Sequence, residues 1–318
     1  MENYKYSLSK RGKNTCPACG KNTFVLYVDS GGNPIDSTVG KCDRFDNCGH
    51  HYPPKEYFID NPEKGTEWRP TKRTIMPVKK VVPPDSIPYH VVHKNLSNGG
   101  RLEGCDFSDW LYSIFPNDPM KVHTALWKFL CGRDNHKRIM FPYIDKQGKY
   151  RTGKHMAYDP TTGKRIKDHD GAVNWTHSIL KKKGVLSDDY NMQLCLFGEV
   201  QLQMAALKDN RKVSITESEK SAVLASVLMP QYVWMAAGAL GWLSVDKLKP
   251  LKERDIILYP DTSKDGTAYA KWSSVATEAK QKGYSIAVSD LLESKCTPEE
   301  KAQGYDLADY LINSLLMG

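Results

Sequence analysis

Lys212-Val-Ser-Ile-Thr-Glu217-Ser-Glu219-Lys220-Ser-Ala-Val-Leu-Ala changes its periodicity at Glu217. Val213, Ile215 and Thr216 are β-branched and set among polar neighbours, which predicts a strand, whereas Ser218-Glu219 before an Ala/Leu/Val run predicts a helix start. Glu217 therefore stands at the carboxyl end of a strand, the edge at which open α/β sheets bind ligands. Arg254-Asp-Ile-Ile-Leu-Tyr-Pro-Asp261-Thr-Ser-Lys-Asp265-Gly266 follows the same order, a hydrophobic run ending in an acidic turn. Ala268, Trp272, Val275, Ala276 and Ala279 then recur at helical spacing. Gly304-Tyr-Asp306-Leu-Ala-Asp309-Tyr-Leu completes the set: Asp306 can cap a last helix that carries Leu307, Leu311 and Leu315 on one face.

A strand-end Glu before Ser-Glu-Lys-Ser-Ala, a Pro-Asp turn closed by Gly266 and an Asp-x-x-Asp-Tyr-Leu helix together resemble the Toprim domain of bacterial and phage primases. The resemblance covers residues 211–318 and, in outline, the whole chain, as in primase-like proteins of mobile elements that join a zinc ribbon to such a domain. It implies that Glu217 is the general base or a metal ligand, that Asp261 is the first acid of the family's Asp-x-Asp, and that Asp306 is its late acid. Ser218 replaces the family's glycine, and Ser263 stands where the second Asp of Asp-x-Asp belongs, with Asp265 two residues further on. The resemblance implies Mg²⁺ or Mn²⁺ on Glu217, Asp261, Asp265 and Asp306, a phosphate contact from Lys220, and a replicative helicase or other replication protein as partner. Hard divalent cations take oxygen ligands, which suits carboxylates to that role. Two other readings stay open: a Toprim nuclease with water as nucleophile, and a degenerate Toprim that only binds nucleic acid or a replication partner.

Near the N-terminus, Cys16-Pro-Ala-Cys19-Gly and Cys42-Asp-Arg-Phe-Asp-Asn-Cys48-Gly-His50-His51 flank an apolar Thr23–Val28 run and a Gly-Gly-Asn turn. That spacing predicts a β-hairpin clamped by one structural Zn²⁺ on Cys16, Cys19, Cys42 and Cys48, with His50 or His51 as alternatives to Cys48. Disulfides are the competing reading, but the first residues show no secretory signal and cytosolic thiols stay reduced, so a cytoplasmic protein is expected. No apolar run approaches the roughly 18 to 20 residues of a membrane span. Six prolines between residues 60 and 88 give linker composition.

The net charge of +8 is concentrated in the middle of the chain. Residues 121–184 hold 15 Lys/Arg against 5 Asp and no Glu, while residues 211–318 hold 13 against 14 acids. A basic module beside a near-neutral acidic-loop module is the arrangement of a phosphate-tracking surface next to a metal site, and single-stranded DNA is the expected partner. Two hairpins are expected there, at 138–153 and 154–167, with Arg138, Lys149, Arg151, Lys154, Lys164, Arg165 and Lys167 tracking phosphates and Tyr143, Tyr150, Tyr158 or Trp175 stacking bases. A Gly-x-x-x-x-Gly-Lys-[Ser/Thr] loop and a dinucleotide fingerprint are both missing from the sequence, so a fused helicase motor is not expected.

The expected architecture is α+β multidomain: a zinc ribbon (1–59), a linker (60–88), a hairpin-rich basic α+β domain (89–210) and an α/β Toprim-like domain (211–318). The expected function is DNA primase-like nucleotidyl transfer on single-stranded DNA with a divalent metal.

Overall fold

The computed structural model describes residues 5–10, 12–64, 83–93, 102, 104–167, 172–204 and 211–317. Most of the expected linker lies outside them. The fold is mixed α+β and divides into two compact units, residues 1–80 and 81–318.

The first unit is a five-stranded antiparallel ribbon. Its strands are β1 (Ser7–Leu8), β2 (Asn14–Thr15), β3 (Asn22–Val28), β4 (Gly40–Cys42) and β5 (His51–Tyr52). The order is β1-β3-β4-β5, with β2 also on β3. Two short helices, α1 (Phe45–Cys48) and α2 (Pro54–Asp60), complete it. Phe24 pairs with Cys42 across β3 and β4, and Phe24, Cys16 and Cys42 form the buried cluster of this unit. So small a core needs a further staple.

The second unit begins with α3 (Tyr89–Val92), α4 (Asp106–Ile114) and α5 (Pro119–Lys128). The break between α4 and α5 contains Pro116, and Pro119 sits at the first turn of α5, where its missing N–H costs nothing. An antiparallel sheet follows: β6 (Gly132–Arg133), β7 (Ile139–Ile144), β8 (Tyr150–Met156) and β9 (Val173–Trp175), in that order, then α6 (Thr176–Lys182). Asp145 shapes the β7–β8 turn by accepting from the Gln147 and Lys149 amides at 2.9 Å each. The second expected hairpin is reduced to a turn, with a bridge between Tyr158 and Arg165 and backbone hydrogen bonds from the Asp159 and Ile166 amides to the Lys164 and Ala157 carbonyls. Every residue of β7 and β8 is buried, so these two central strands are interior rather than a solvent-facing track.

The last sheet is wholly parallel. Its strands are β10 (Val213–Thr216), β11 (Val233–Ala236), β12 (Ile256–Tyr259) and β13 (Ile286–Val288), in the order β11-β10-β12-β13. The helices are α7 (Glu219–Leu228) after β10, α8 (Thr267–Gln281) after β12, then α9 (Leu291–Lys295), α10 (Pro298–Gln303) and α11 (Leu307–Met317). The chain runs from β10 to β11 on one side and then to β12 on the other, which makes the carboxyl end of β10 a topological switch point. The position 210/211 falls between the two sheets, and one buried cluster, including Phe107, Phe141, Phe197, Leu224, Trp234 and Leu307, continues beneath both.

Candidate functional site

Strand register creates the site. Parallel pairing sets Thr216 beside Tyr259, so Glu217 and Asp261 leave the sheet at the same edge from adjacent strands. Asp306 is brought there from far along the chain by Thr262, whose amide and hydroxyl both donate to the Tyr305 carbonyl at 2.9 Å. Asp306 caps α11 as expected, accepting from the Asp309 amide at 2.9 Å while Asp309 accepts from the Asp306 amide at 3.3 Å. Glu217, Asp261, Asp306 and Asp309 thus line one cleft of about 1170 Å³. Lys164, Arg165, Lys167 and Lys220 line the same cleft.

The acids strain against one another. Burial, then the charges of Asp306, Glu217 and Asp309, push the Asp261 carboxyl well above the usual carboxylate range, with Lys220 opposing. Burial also raises Glu217; a backbone hydrogen bond from Leu240 acts against this, and Asp306 adds to it. Asp309 is raised by burial and by Asp306, and Lys220, whose Nζ lies 3.7 Å from Asp309 Oδ1, relieves part of it. Asp261 Oδ1 is buried with no hydrogen-bond partner. An orphaned carboxylate oxygen among like charges is a donor set that fits a hard divalent cation. Among the described residues no three of these carboxylates gather within 4.8 Å of one another. That looseness fits Mg²⁺, which commonly takes one or two carboxylates and completes its shell with water and phosphate oxygens.

Asp265 stands apart from the cleft. It is exposed and accepts from the Thr267 amide at 3.2 Å, the work of a turn acid at the start of α8. Ser263, in place of the family's second acid, accepts from the Ala268 amide at 3.0 Å in the same turn. Lys149 is exposed in the β7–β8 turn, away from the cleft-lining residues.

Three expected phosphate contacts are interior. Arg151 is buried against Asp145 at 2.6 Å and donates to the Pro84 and Asp85 carbonyls at 2.7 Å each. Arg138 is buried against Asp134 at 2.6 Å. Lys154 faces the cleft, but its ammonium is directed at both Glu219 oxygens, 3.0 and 3.1 Å, and at the Gly238 carbonyl, 3.1 Å. An ammonium has three donors, and these partners take all of them. Tyr143, Tyr150 and Tyr158 are buried packing residues and stack no base. Hairpin tyrosines turn inward because cross-strand packing buries their rings.

Sequence reasoning passed over Glu219, buried at the first position of α7 and receiving a 2.5 Å hydrogen bond from Tyr143 as well as the Lys154 pair. Its neighbourhood with Glu217 was visible, but its place looked like an ordinary acidic helix start. Phe141 pairs with Lys154 across β7 and β8, so alternation puts Tyr143 and Lys154 on one face, both within reach of Glu219. Asp309 was also passed over as a site residue; the signal was its three-residue spacing from Asp306.

In the first unit the sulfurs of Cys16, Cys19, Cys42 and Cys48 lie within 4.8 Å of one another, with Cys16 and Cys48 at 3.7 Å. Tetrahedral Zn–S bonds of about 2.3 Å separate sulfurs by about 3.8 Å, so four thiolates here fit structural Zn²⁺ and leave no open position. Cys48, not a histidine, completes the set. His51 is engaged by the Tyr27 hydroxyl at 3.0 Å, and His50 packs its ring on Phe24.

Residues 4–63 match the family described as a zinc beta-ribbon finger, and residues 105–262 match the family described as Domain of unknown function (DUF6371). No curated protein matches the sequence. Among solved structures, the catalytic core of the E. coli primase is 14% identical, with 65% of this chain and 78% of that one covered at a TM-score of 0.37. The zinc-binding and RNA polymerase domains of the Aquifex aeolicus primase are 13% identical, with coverage of 97% and 80% and a TM-score of 0.37. The primase fragment of the bacteriophage T7 primase-helicase protein is 12% identical, with coverage of 98% and 97% and a TM-score of 0.35. Among the described residues no helix is long and apolar enough to cross a membrane.

Proposed function

We propose that this chain carries out primase-like nucleotidyl transfer on a single-stranded DNA template, with residues 211–318 acting as a Toprim-like centre in a chain that also carries an N-terminal zinc ribbon. One observation carries the reading: Glu217, Asp261, Asp306 and Asp309 line a single cleft with Lys164, Arg165, Lys167 and Lys220 around them. A cation held in this cleft by one or two of Glu217, Asp261 and Asp306 would neutralise phosphate charge and lower the pKa of an attacking hydroxyl. The chain's own residues supply the rest. Lys164, Arg165 and Lys167 offer charge to the strand and nucleotide phosphates, and Lys220 does so from the first turn of α7. The Leu240 amide orients Glu217, and the Thr262–Tyr305 tie holds Asp306 beside Asp261. Lys154 acts as a clamp that joins β8 to α7 and to the loop after β11, and touches no phosphate.

The test incubates the full chain with single-stranded DNA, ribonucleotides and Mg²⁺ or Mn²⁺ on one gel. Extension products that vanish in Asp261→Asn, while strand binding persists, are the expected result. Cleavage without extension would identify a nuclease, and unaltered DNA despite binding would identify a non-catalytic module. Asp265→Asn is expected to leave extension intact, because Asp265 only caps a turn.

A further inference from the structure

The loop after β11 belongs to two surfaces at once. Gly238 and Ala239 line the acidic cleft, the Leu240 amide bonds Glu217, and Trp242 follows within the same short turn. Trp242 is half-buried and, among the described residues, belongs to neither of the large buried clusters of this unit. Its ring lies against Trp175, with centroids 5.9 Å apart and planes tilted by 45°. Two ammonium groups flank it: Lys154 and Lys247, each 5.7 Å from the ring centroid. Lys154 also lies 6.0 Å from the Trp175 centroid. Gly238 is needed beneath them, because it has φ +93° and a Cβ there would collide with both the Tyr143 hydroxyl and the Trp242 ring.

A half-exposed indole gains little from packing on cations and one neighbouring ring if burial of apolar area is its purpose. Such a surface does suit a flat, electron-rich heterocycle whose attached phosphates need positive charge close by. Lys247 is half-buried and its ammonium is pushed below its usual range by that burial, and Lys154 is held by Glu219 and the Gly238 carbonyl, so the positive charge for the phosphates comes from Lys164, Arg165, Lys167 and Lys220 in the adjoining cleft. Gly238 and Ala239 of the same loop line the cleft, so a nucleotide seated on the indoles beside it has Glu217 and the basic turn within the adjoining cavity for its phosphates.

We infer that Trp242, with Trp175 behind it, is a stacking platform for the base of an unpaired nucleotide whose phosphate enters the acidic cleft. This deepens the proposed function and rests on it for the direction of the phosphate. The base comes either from a strand or from a free nucleotide, and the two sources share the same chemistry.

The experiment measures binding by the full chain of a labelled single-stranded oligonucleotide and of the same oligonucleotide with abasic sites at every position. In parallel it measures a ribonucleoside triphosphate against ribose 5-triphosphate. Wild-type protein is expected to favour the base-bearing ligand of at least one pair, and the pair that shows the preference identifies the source. Trp242→Ala should weaken that ligand by about tenfold and leave its base-free counterpart unchanged. Trp242→Phe, which can still stack, should recover most of the loss. Equal weakening of both members of a pair, no weakening, or failure of Phe to recover would overturn the inference. So would a wild-type protein that binds base-bearing and base-free ligands alike or binds none. Failure of the catalytic reading looks different: Asp261→Asn and wild type would both lack extension, while the base preference and its loss in Trp242→Ala would stand.

Discussion

Asp134 and Asp261 are both withdrawn from solvent, yet their surroundings drive them in opposite directions. Burial alone would raise Asp134, but hydrogen bonds from His155 (3.0 Å) and from Arg138 Nε (2.7 Å) overcome it and hold the carboxyl well below the usual range. A depressed folded-state pKa means that the stabilisation is present above the usual carboxylate value of about 4 and is lost as pH falls through the folded value. Asp261 is raised by burial and by Asp306, Glu217 and Asp309. Between the usual value and the raised one, the folded state keeps a proton that the unfolded state has released, so stability falls as pH rises through that window. Asp134→Ala, which strands Arg138 and His155 without their acceptor, is expected to lose about 3 to 5 kcal/mol at neutral pH. Asp261→Asn is expected to make the metal-free protein more stable at neutral pH than wild type and to remove any thermal stabilisation by Mg²⁺. Urea unfolding at acid and neutral pH, with and without Mg²⁺, reads all three effects. A neutral Asp134→Ala, or an Asp261→Asn that still responds to Mg²⁺, would contradict the pairing assigned here.

The turn from Asp159 to Lys167 lines the acidic cleft with positive charge, and beside its own backbone hydrogen bonds a close contact with Trp110 sets its position. Gly163 has φ +64° and lies against the Trp110 ring, where a Cβ would collide; Lys220 Nζ lies 5.5 Å from the same ring. Replacing Lys164, Arg165 and Lys167 together by Ala should reduce the slope of log affinity against log salt for single-stranded DNA by about 2, since each phosphate contact contributes about 0.7. Gly163→Ala should flatten that slope as well although it removes no charge, because the turn must move off Trp110. An unchanged slope in both variants would locate the strand elsewhere. This element also marks how far the sequence could be read. The strand-acid-helix units were legible because hydrophobic runs stop abruptly at Glu217 and Asp261, and parallel register then had one way to bring those ends together. The burial of β7 and β8 was not legible. Arg138, Arg151 and Lys154 read as solvent-facing charges by residue type, and only the fold reveals that Asp134, Asp145 and Glu219 take them inside. Asp265 misled for a related reason: a turn acid and a metal-binding acid have the same spacing from a strand end.

At the scale of the whole molecule, the two units depend on different physical terms. Residues 81–318 rest on large buried clusters rich in Phe, Trp and Leu, whereas among the described residues of the first unit the buried cluster is small, made of Cys16, Phe24 and Cys42, with Val28, Val39 and Tyr57 buried outside it. The four sulfurs that fit Zn²⁺ crowd together at the junction of the Cys16–Cys19 knuckle and the β4–α1 turn. Without a cation these thiols cannot all ionise, and the ribbon loses the bonds that replace a hydrophobic core. Metal analysis should therefore find one tightly held Zn²⁺ per chain. A strong chelator should abolish hydrogen-exchange protection across β2 to β5 while leaving protection in β7, β8, β10 and β12 unchanged. Cys16→Ser and Cys48→Ser should each reproduce the chelated pattern. His50→Ala should retain the metal, since its ring packs on Phe24 and the sulfurs already fill the tetrahedron. Zinc retained by Cys48→Ser but lost by His50→Ala would transfer the fourth ligand to the histidine. Loss of protection in β10 and β12 on chelation would mean that the core of the second unit is not sufficient for its own fold.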